Sequence, residues 1–166
     1  MEISLKSFTL FGAILLTGLS AGLFYAWSVS VIPGTQRLSD TTYLETMQSI
    51  NRAILNPAFF TVFFGCTCLL GASVIFQFSD QKLSFWFVLG AFTAYLLGTI
   101  GVTGLGNVPL NNELDALNLS RMGQEKLAEF RAYYESNWNR LHTIRTTFAV
   151  CSFVLAVLSI FTMTKS

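Results

Sequence analysis

The chain has 166 residues, of which 52% are hydrophobic and only 11% charged, with a net charge of +1. A soluble domain carries about 25% charge, so this chain lacks the polar surface of one, and its length allows a single domain. The near-neutral balance also excludes nucleic acid as a partner, because phosphate binding needs a concentrated basic field.

The apolar residues fall into four blocks, each near the ~20 residues needed to cross a bilayer core. The first covers 8–32 and stops at Pro33-Gly34, a terminator and turn pair. It is too long for the apolar region of a signal peptide and no small-x-small cleavage site follows, so a retained span is expected. Residues 41–55 place Leu44, Met47, Ile50 and Ile54 at helical spacing, with Gln48, Asn51 and Arg52 on another face. That pattern predicts a short amphipathic helix at the membrane interface. Asn56-Pro57 suits a helix start and opens the second span, 57–78. A turn over 79–83, holding Asp80 and Lys82, leads to the third span, 84–105, which dissolves at Gly104-Leu105-Gly106-Asn107. A second extramembrane helix is expected over 124–141, with Leu127, Phe130, Tyr134 and Trp138 in a stripe. It runs without Gly or Pro into the fourth span, 141–163. One helix over 124–163 would be ~60 Å long, about twice the hydrocarbon thickness. Its projecting stripe needs cover, and the 41–55 helix is positioned to supply it.

The expected architecture is therefore all-α: one membrane domain over 1–166, an integral four-helix bundle with an interfacial amphipathic helix and an extended fourth helix. Multi-pass insertion in an inner or plasma membrane is expected. Four crossings put the two longer connections on one face, and their larger share of Lys and Arg makes that face cytoplasmic by the positive-inside rule; Glu2, Lys6 and Lys165 fall on the other. Gly18, Gly22 and Ala26, and likewise Gly90, Ala94 and Gly98, recur every fourth residue, a spacing that serves close helix packing within the bundle or a homo-oligomer seam. Cys66, Cys68 and Cys151 lie in apolar blocks and read as small hydrophobes.

Four polar clusters share the long-connection face. They are Tyr25, Trp27, Ser28 and Ser30; Gln48, Asn51, Arg52 and Asn56; Asn107, Asn111, Asn112 and Glu113; and Trp138, Asn139, His142, Arg145 and Thr146. Polar groups beside hydrocarbon are costly unless paired, and so point to function. Trp138, His142 and Arg145, at i, i+4 and i+7, share one helix face. Tyr95, Thr99, Thr103 and Asn107 form a facing row on the third span. Where two such rows meet, an apolar-walled pocket with a few directed polar groups is expected, able to hold an apolar or aromatic small molecule or a lipid. Plainer readings stand beside this one. Tyr25, Trp27 and Trp138 suit an aromatic belt against membrane lipids, and Arg52 and Arg145 suit snorkelling to phosphates. No His, Cys or carboxylate cluster has metal-ligand spacing, and a single histidine argues against bis-axial haem. Any catalysis is expected to need no tightly bound cofactor.

Three segments carry a resemblance: Met47-Gln48-x-Ile50-Asn51-x-x-Ile54-x-Asn56-Pro57, Asn107-Val108-Pro109-Leu110-Asn111, and Trp138-x-x-x-His142-x-x-Arg145-Thr146. Together with the Gly18–Pro33 stretch they resemble the anthrone oxygenase-like family of small four-helix membrane proteins. The resemblance implies oxidation of an anthrone to an anthraquinone by O₂, without metal or flavin. On that reading His142 is the base, and Asn107, Asn111 and Arg145 polarise the developing oxyanion. Trp27 and Trp138 would stack on the substrate, with Tyr25, Gln48, Asn51 and Thr103 as further binding residues. A non-catalytic lipid or quinone binder and an accessory structural subunit are the alternatives.

Overall fold

The computed structural model describes residues 4–79 and 82–163. Glu2 and Lys165, part of the charge comparison above, and Asp80 of the expected turn lie outside them. The described residues are almost entirely helical, with no strand. Its five helices are α1 (Leu5–Thr35), α2 (Asp40–Ala53), α3 (Pro57–Gln77), α4 (Leu83–Asp115) and α5 (Gln124–Met163). All but α2 are long and apolar enough to cross a membrane.

The four long helices pack α1 on α3 and α5, and α4 on α5 and α3. Ala13, Ala21, Ala91, Ala149 and Ala156 line the bundle interior beside Phe24, Phe63, Leu70 and Tyr95. Small side chains at these positions let the backbones approach closely, which is how helices gain packing energy where lipid tails remove the hydrophobic drive. Gly18, Gly90 and Gly98 face Phe153, Leu155 and Phe148 of α5, so these three serve packing within the chain. Gly98 is the tightest of them, since a Cβ there would overlap Cβ and Cγ of Phe148. Rotating the phenyl ring cannot move its own Cβ, so the helices must separate. Gly98→Ala should therefore destabilise the bundle by about 1–3 kcal/mol. Thermal unfolding in detergent checks this against Gly22→Ala, whose new methyl meets nothing within 4 Å and should be nearly silent.

Two boundaries differ from the sequence expectation. Helix α1 passes through Pro33-Gly34, and α4 passes through Gly104–Asn107 and Pro109. Proline lacks an N–H and its ring clashes with the carbonyl four residues back. In both helices a π-helical turn comes just before it, Trp27–Val31 ahead of Pro33 and Thr103–Asn107 ahead of Pro109. The wider turn shifts the hydrogen-bond ladder so that the proline restarts an α-helix at its first turn, where its missing donor costs nothing. A further π-helical run, Ala94–Gly101, precedes the second of these.

Above the bundle, α2 lies across the projecting part of α5. Tyr43, Leu44 and Met47 are buried against Leu110, Leu114, Leu127, Tyr134 and Trp138. The helix opens with Ser39 accepting from the Thr42 amide at 3.4 Å, a side-chain N-cap. Arg131 of α5 fixes the approach to it. Its guanidinium donates to the Leu38 carbonyl at 2.7 Å, the Gln36 carbonyl at 3.0 Å, and the carboxylates of Asp40 at 2.9 Å and Glu135 at 3.0 Å. The same guanidinium lies over the Tyr43 ring at 4.6 Å. Burial pushes the Tyr43 hydroxyl above its usual range, with the Glu135 carboxylate adding to the shift, so the ring is a neutral packing element. Gln48 ties α2 to α4 by donating to the Leu114 and Leu117 carbonyls at 2.8 and 3.2 Å.

Candidate functional site

The facing rows of α4 and α5 meet. Thr99 donates to the Arg145 carbonyl at 3.3 Å, and Asn107 donates to the Trp138 carbonyl at 3.3 Å. Tyr95 lies deeper, with its hydroxyl 2.8 Å from Ser20 of α1. Beside Arg145 the bundle leaves a cavity of about 80 Å³. Its walls come from Leu23, Phe24 and Trp27 of α1, Ile50 and Asn51 of α2 with Ile54 just past its end, and Phe59 of α3. Thr103, Val108 and Asn111 of α4 and Trp138 and Arg145 of α5 complete it, with Leu55 at the rim.

Arg145 is 8% exposed. Its guanidinium carbon sits 4.8 Å from the centre of the Phe24 ring and 4.9 Å from that of Trp138, between two π-faces. The ion pairs among the described residues join Arg52 to Asp115 and Arg131 to Asp40 and Glu135; none reaches Arg145. Its only hydrogen-bond partner there is neutral: Nε and Nη2 lie 3.2 and 3.0 Å from Nδ1 of His142. Desolvating a guanidinium costs several kcal/mol, whereas each cation–π contact returns about 2 kcal/mol in a dry setting. The cation is tolerated but under-compensated. A negative group entering the cavity would complete it.

The hydrogen bonds also fix the state of His142, which is 0% exposed. Arginine can only donate, so Nδ1 accepts and the ring proton sits on Nε2. Around Nε2 lie Ser28 Oγ at 2.9 Å, the Phe24 carbonyl at 3.2 Å and Thr146 Oγ1 at 3.3 Å. Both hydroxyls spend their own protons on backbone carbonyls, of Phe24 and of His142, which leaves their lone pairs for Nε2–H. The ring stacks on Trp138 at 5.1 Å with a 6° interplanar angle. His142 is absent from the cavity wall, and its one basic nitrogen faces Arg145.

A second network forms the floor. Asn51 Nδ2 donates to the Tyr134 hydroxyl at 3.0 Å. Tyr134 in turn donates to Asn111 Oδ1 at 3.0 Å, which also accepts from Trp138 Nε1 at 2.9 Å. Asn111 thus spends its carbonyl inward and keeps its amide N–H groups for the cavity. Deeper in, Thr103 Oγ1 and Asn107 Oδ1 are buried with no hydrogen-bond partner. Unsatisfied buried groups of this kind are rare.

A family model described as anthrone oxygenase matches residues 52–155, well over half the chain. The chain belongs to the anthrone oxygenase family. No curated protein and no solved structure matches it. The family match takes in Thr103, Asn107, Asn111, Trp138, His142 and Arg145, while Phe24, Trp27, Ser28 and Asn51 lie on segments before it.

Of the residues singled out in the sequence, Trp27, Asn51, Thr103, Asn111, Trp138 and Arg145 share the cavity wall of this anthrone oxygenase family member. Asn107 and His142 stand directly behind that wall. Gln48 is spent on α2–α4 anchoring. Tyr25 is 59% exposed and points away, because Phe24, Trp27 and Ser28 at i, i+3 and i+4 take the inward face and position 25 lies about 100° around the helix. Phe24, Phe59 and Tyr134 were not among the expected site residues. The spacing of Phe24 to Trp27 and Ser28 was the available signal for the first, and Tyr134 was hidden within an apolar stripe.

Proposed function

We propose that this protein is a multi-pass membrane oxygenase that binds a flat, weakly acidic aromatic molecule of the anthrone type, and that Arg145 holds the oxyanion formed when that molecule ionises. The observation that carries the reading is a buried guanidinium, sandwiched between two aromatic rings at a cavity wall and lacking any carboxylate among the described residues. An anthrone that loses a CH₂ proton becomes an enolate whose oxygen carries the charge. Holding that oxygen on Arg145, with the Asn111 amide beside it, favours ionisation in a site shielded from water. The proton passes to water at the cavity mouth. The electron-rich carbon gives an electron to O₂, the two radicals join in a C–O bond, the peroxide anion takes a proton back from water, and the hydroperoxide loses water to leave a carbonyl. The balance is substrate plus O₂ to quinone plus water.

In this assignment His142 acts on Arg145 and not on the substrate. Apolar substrate arrives through the membrane, taken here as an inner or plasma membrane with the α2 face cytoplasmic. The experiment is O₂ uptake and quinone absorbance with a hydroxylated anthrone and the purified protein in nanodiscs. Turnover well above spontaneous autoxidation is expected; a rate equal to autoxidation overturns the reading. One observation favours a second reading, a non-catalytic binder of the same ligand class: among the described residues, no carboxylate or free imidazole nitrogen lines the cavity. Tight quinone binding with no turnover would select it.

A further inference from the structure

A cavity of about 80 Å³ is small for the ligand just proposed, since ~150 Å³ is what holds a benzene in a dry core. A second cavity of about 110 Å³ adjoins it. The two share Asn51, Leu55, Val108 and Asn111, so they are lobes of one groove between the end of α2 and the outer half of α4. Leu55 and Val108, both exposed, form the ridge between the lobes. Neither lobe alone reaches the benzene-sized volume while the two together do, and the groove's two ends differ in chemistry. The inner end is apolar and terminates at Arg145. The outer end is polar, with Asn112 and the Arg52–Asp115 ion pair at its wall.

We infer that Arg52 is a specificity residue, and that the ligand is an elongated planar aromatic with two acidic groups, an ionisable oxygen for Arg145 and an anionic substituent at the far end for Arg52. This inference rests on the reading above, because it takes the inner lobe as the oxyanion site. The Arg52 and Asp115 side chains are 62% and 49% exposed. A pair that accessible is only weakly held, so a ligand anion can take the place of Asp115 at little cost. No other cation lines the outer lobe. Asn51 and Asn111 line both lobes, giving polar contacts along the ligand's edge.

A matched pair of probes tests this. One is a hydroxyanthraquinone with a carboxylate on the ring opposite the hydroxyl; the other is the carboxamide of the same shape. Binding is followed by quenching of tryptophan fluorescence in nanodiscs. The wild-type protein should bind the carboxylate about fivefold more tightly than the carboxamide. Arg52→Gln should abolish that preference, and Asp115→Asn should widen it. Equal affinities in the wild type, or a preference that survives Arg52→Gln, overturn the role of Arg52, and the oxygenase reading stands as long as a neutral anthrone is turned over. Failure of both probes to bind, together with no turnover of a neutral anthrone, overturns the two together.

Discussion

Arg145→Met should remove turnover by about 10²–10³-fold, the loss typical when one oxyanion donor is deleted, while leaving the protein folded. The two halves of this expectation have a common cause. Methionine fills much of the same space between Phe24 and Trp138 and needs no hydrogen bonds. Replacing a buried charge with an apolar side chain of similar volume is often neutral or stabilising. The native cation lies between two aromatic rings and meets only a neutral imidazole, so it is held for a purpose other than stability. Thermal unfolding and O₂ uptake on the same preparation check both halves. Arg145→Lys should lose activity nearly as far, because an ammonium cannot stack as a plane while reaching Nδ1 of His142. Turnover retained in Arg145→Met would end the oxyanion role, and collapse of the fold would show that the guanidinium is structural.

The sequence carried much of this arrangement. Helical spacing placed Trp138, His142 and Arg145 on one face and Tyr95, Thr99, Thr103 and Asn107 on another, and those faces meet through the Thr99 and Asn107 hydrogen bonds. The apolar stripes of α2 and α5 likewise announced that one would cover the other. Two things were hidden, each for a physical reason. Pro33-Gly34 and Gly104–Asn107 read as helix ends because proline and clustered glycines normally mark one; that a π turn carries each helix onward depends on tertiary packing that local sequence does not encode. The order of the side chains was also hidden, because helical spacing puts Trp138, His142 and Arg145 on one face without saying which covers which. Side chains on a helix lean toward its N-terminus, so Arg145 folds back one turn over His142 and Trp138. The Arg145 head then occupies the cavity wall and the imidazole is left behind it.

On the proposed reading His142 is a positioning residue, and two substitutions separate positioning from proton transfer. In His142→Asn the side-chain carbonyl falls close to where Nδ1 stood and can accept from Arg145. Turnover should therefore stay within about threefold of wild type, although Asn cannot carry a proton as imidazole does. His142→Ala removes the acceptor and leaves Nε and Nη2 of Arg145 buried without a partner, a loss of about 1–3 kcal/mol or more for a charged group. The guanidinium is then free to swing off the Phe24 and Trp138 faces, and kcat should fall about 10–100-fold. The pH profile gives an independent readout. If His142 only orients Arg145, the wild type and His142→Asn should share one profile; if it is the base, the asparagine variant should lose both its rate and the imidazole inflection. An inactive His142→Asn protein that is still folded and still binds quinone would return His142 to the chemistry. It would also require the substrate to reach past Arg145 to a nitrogen that the guanidinium now covers.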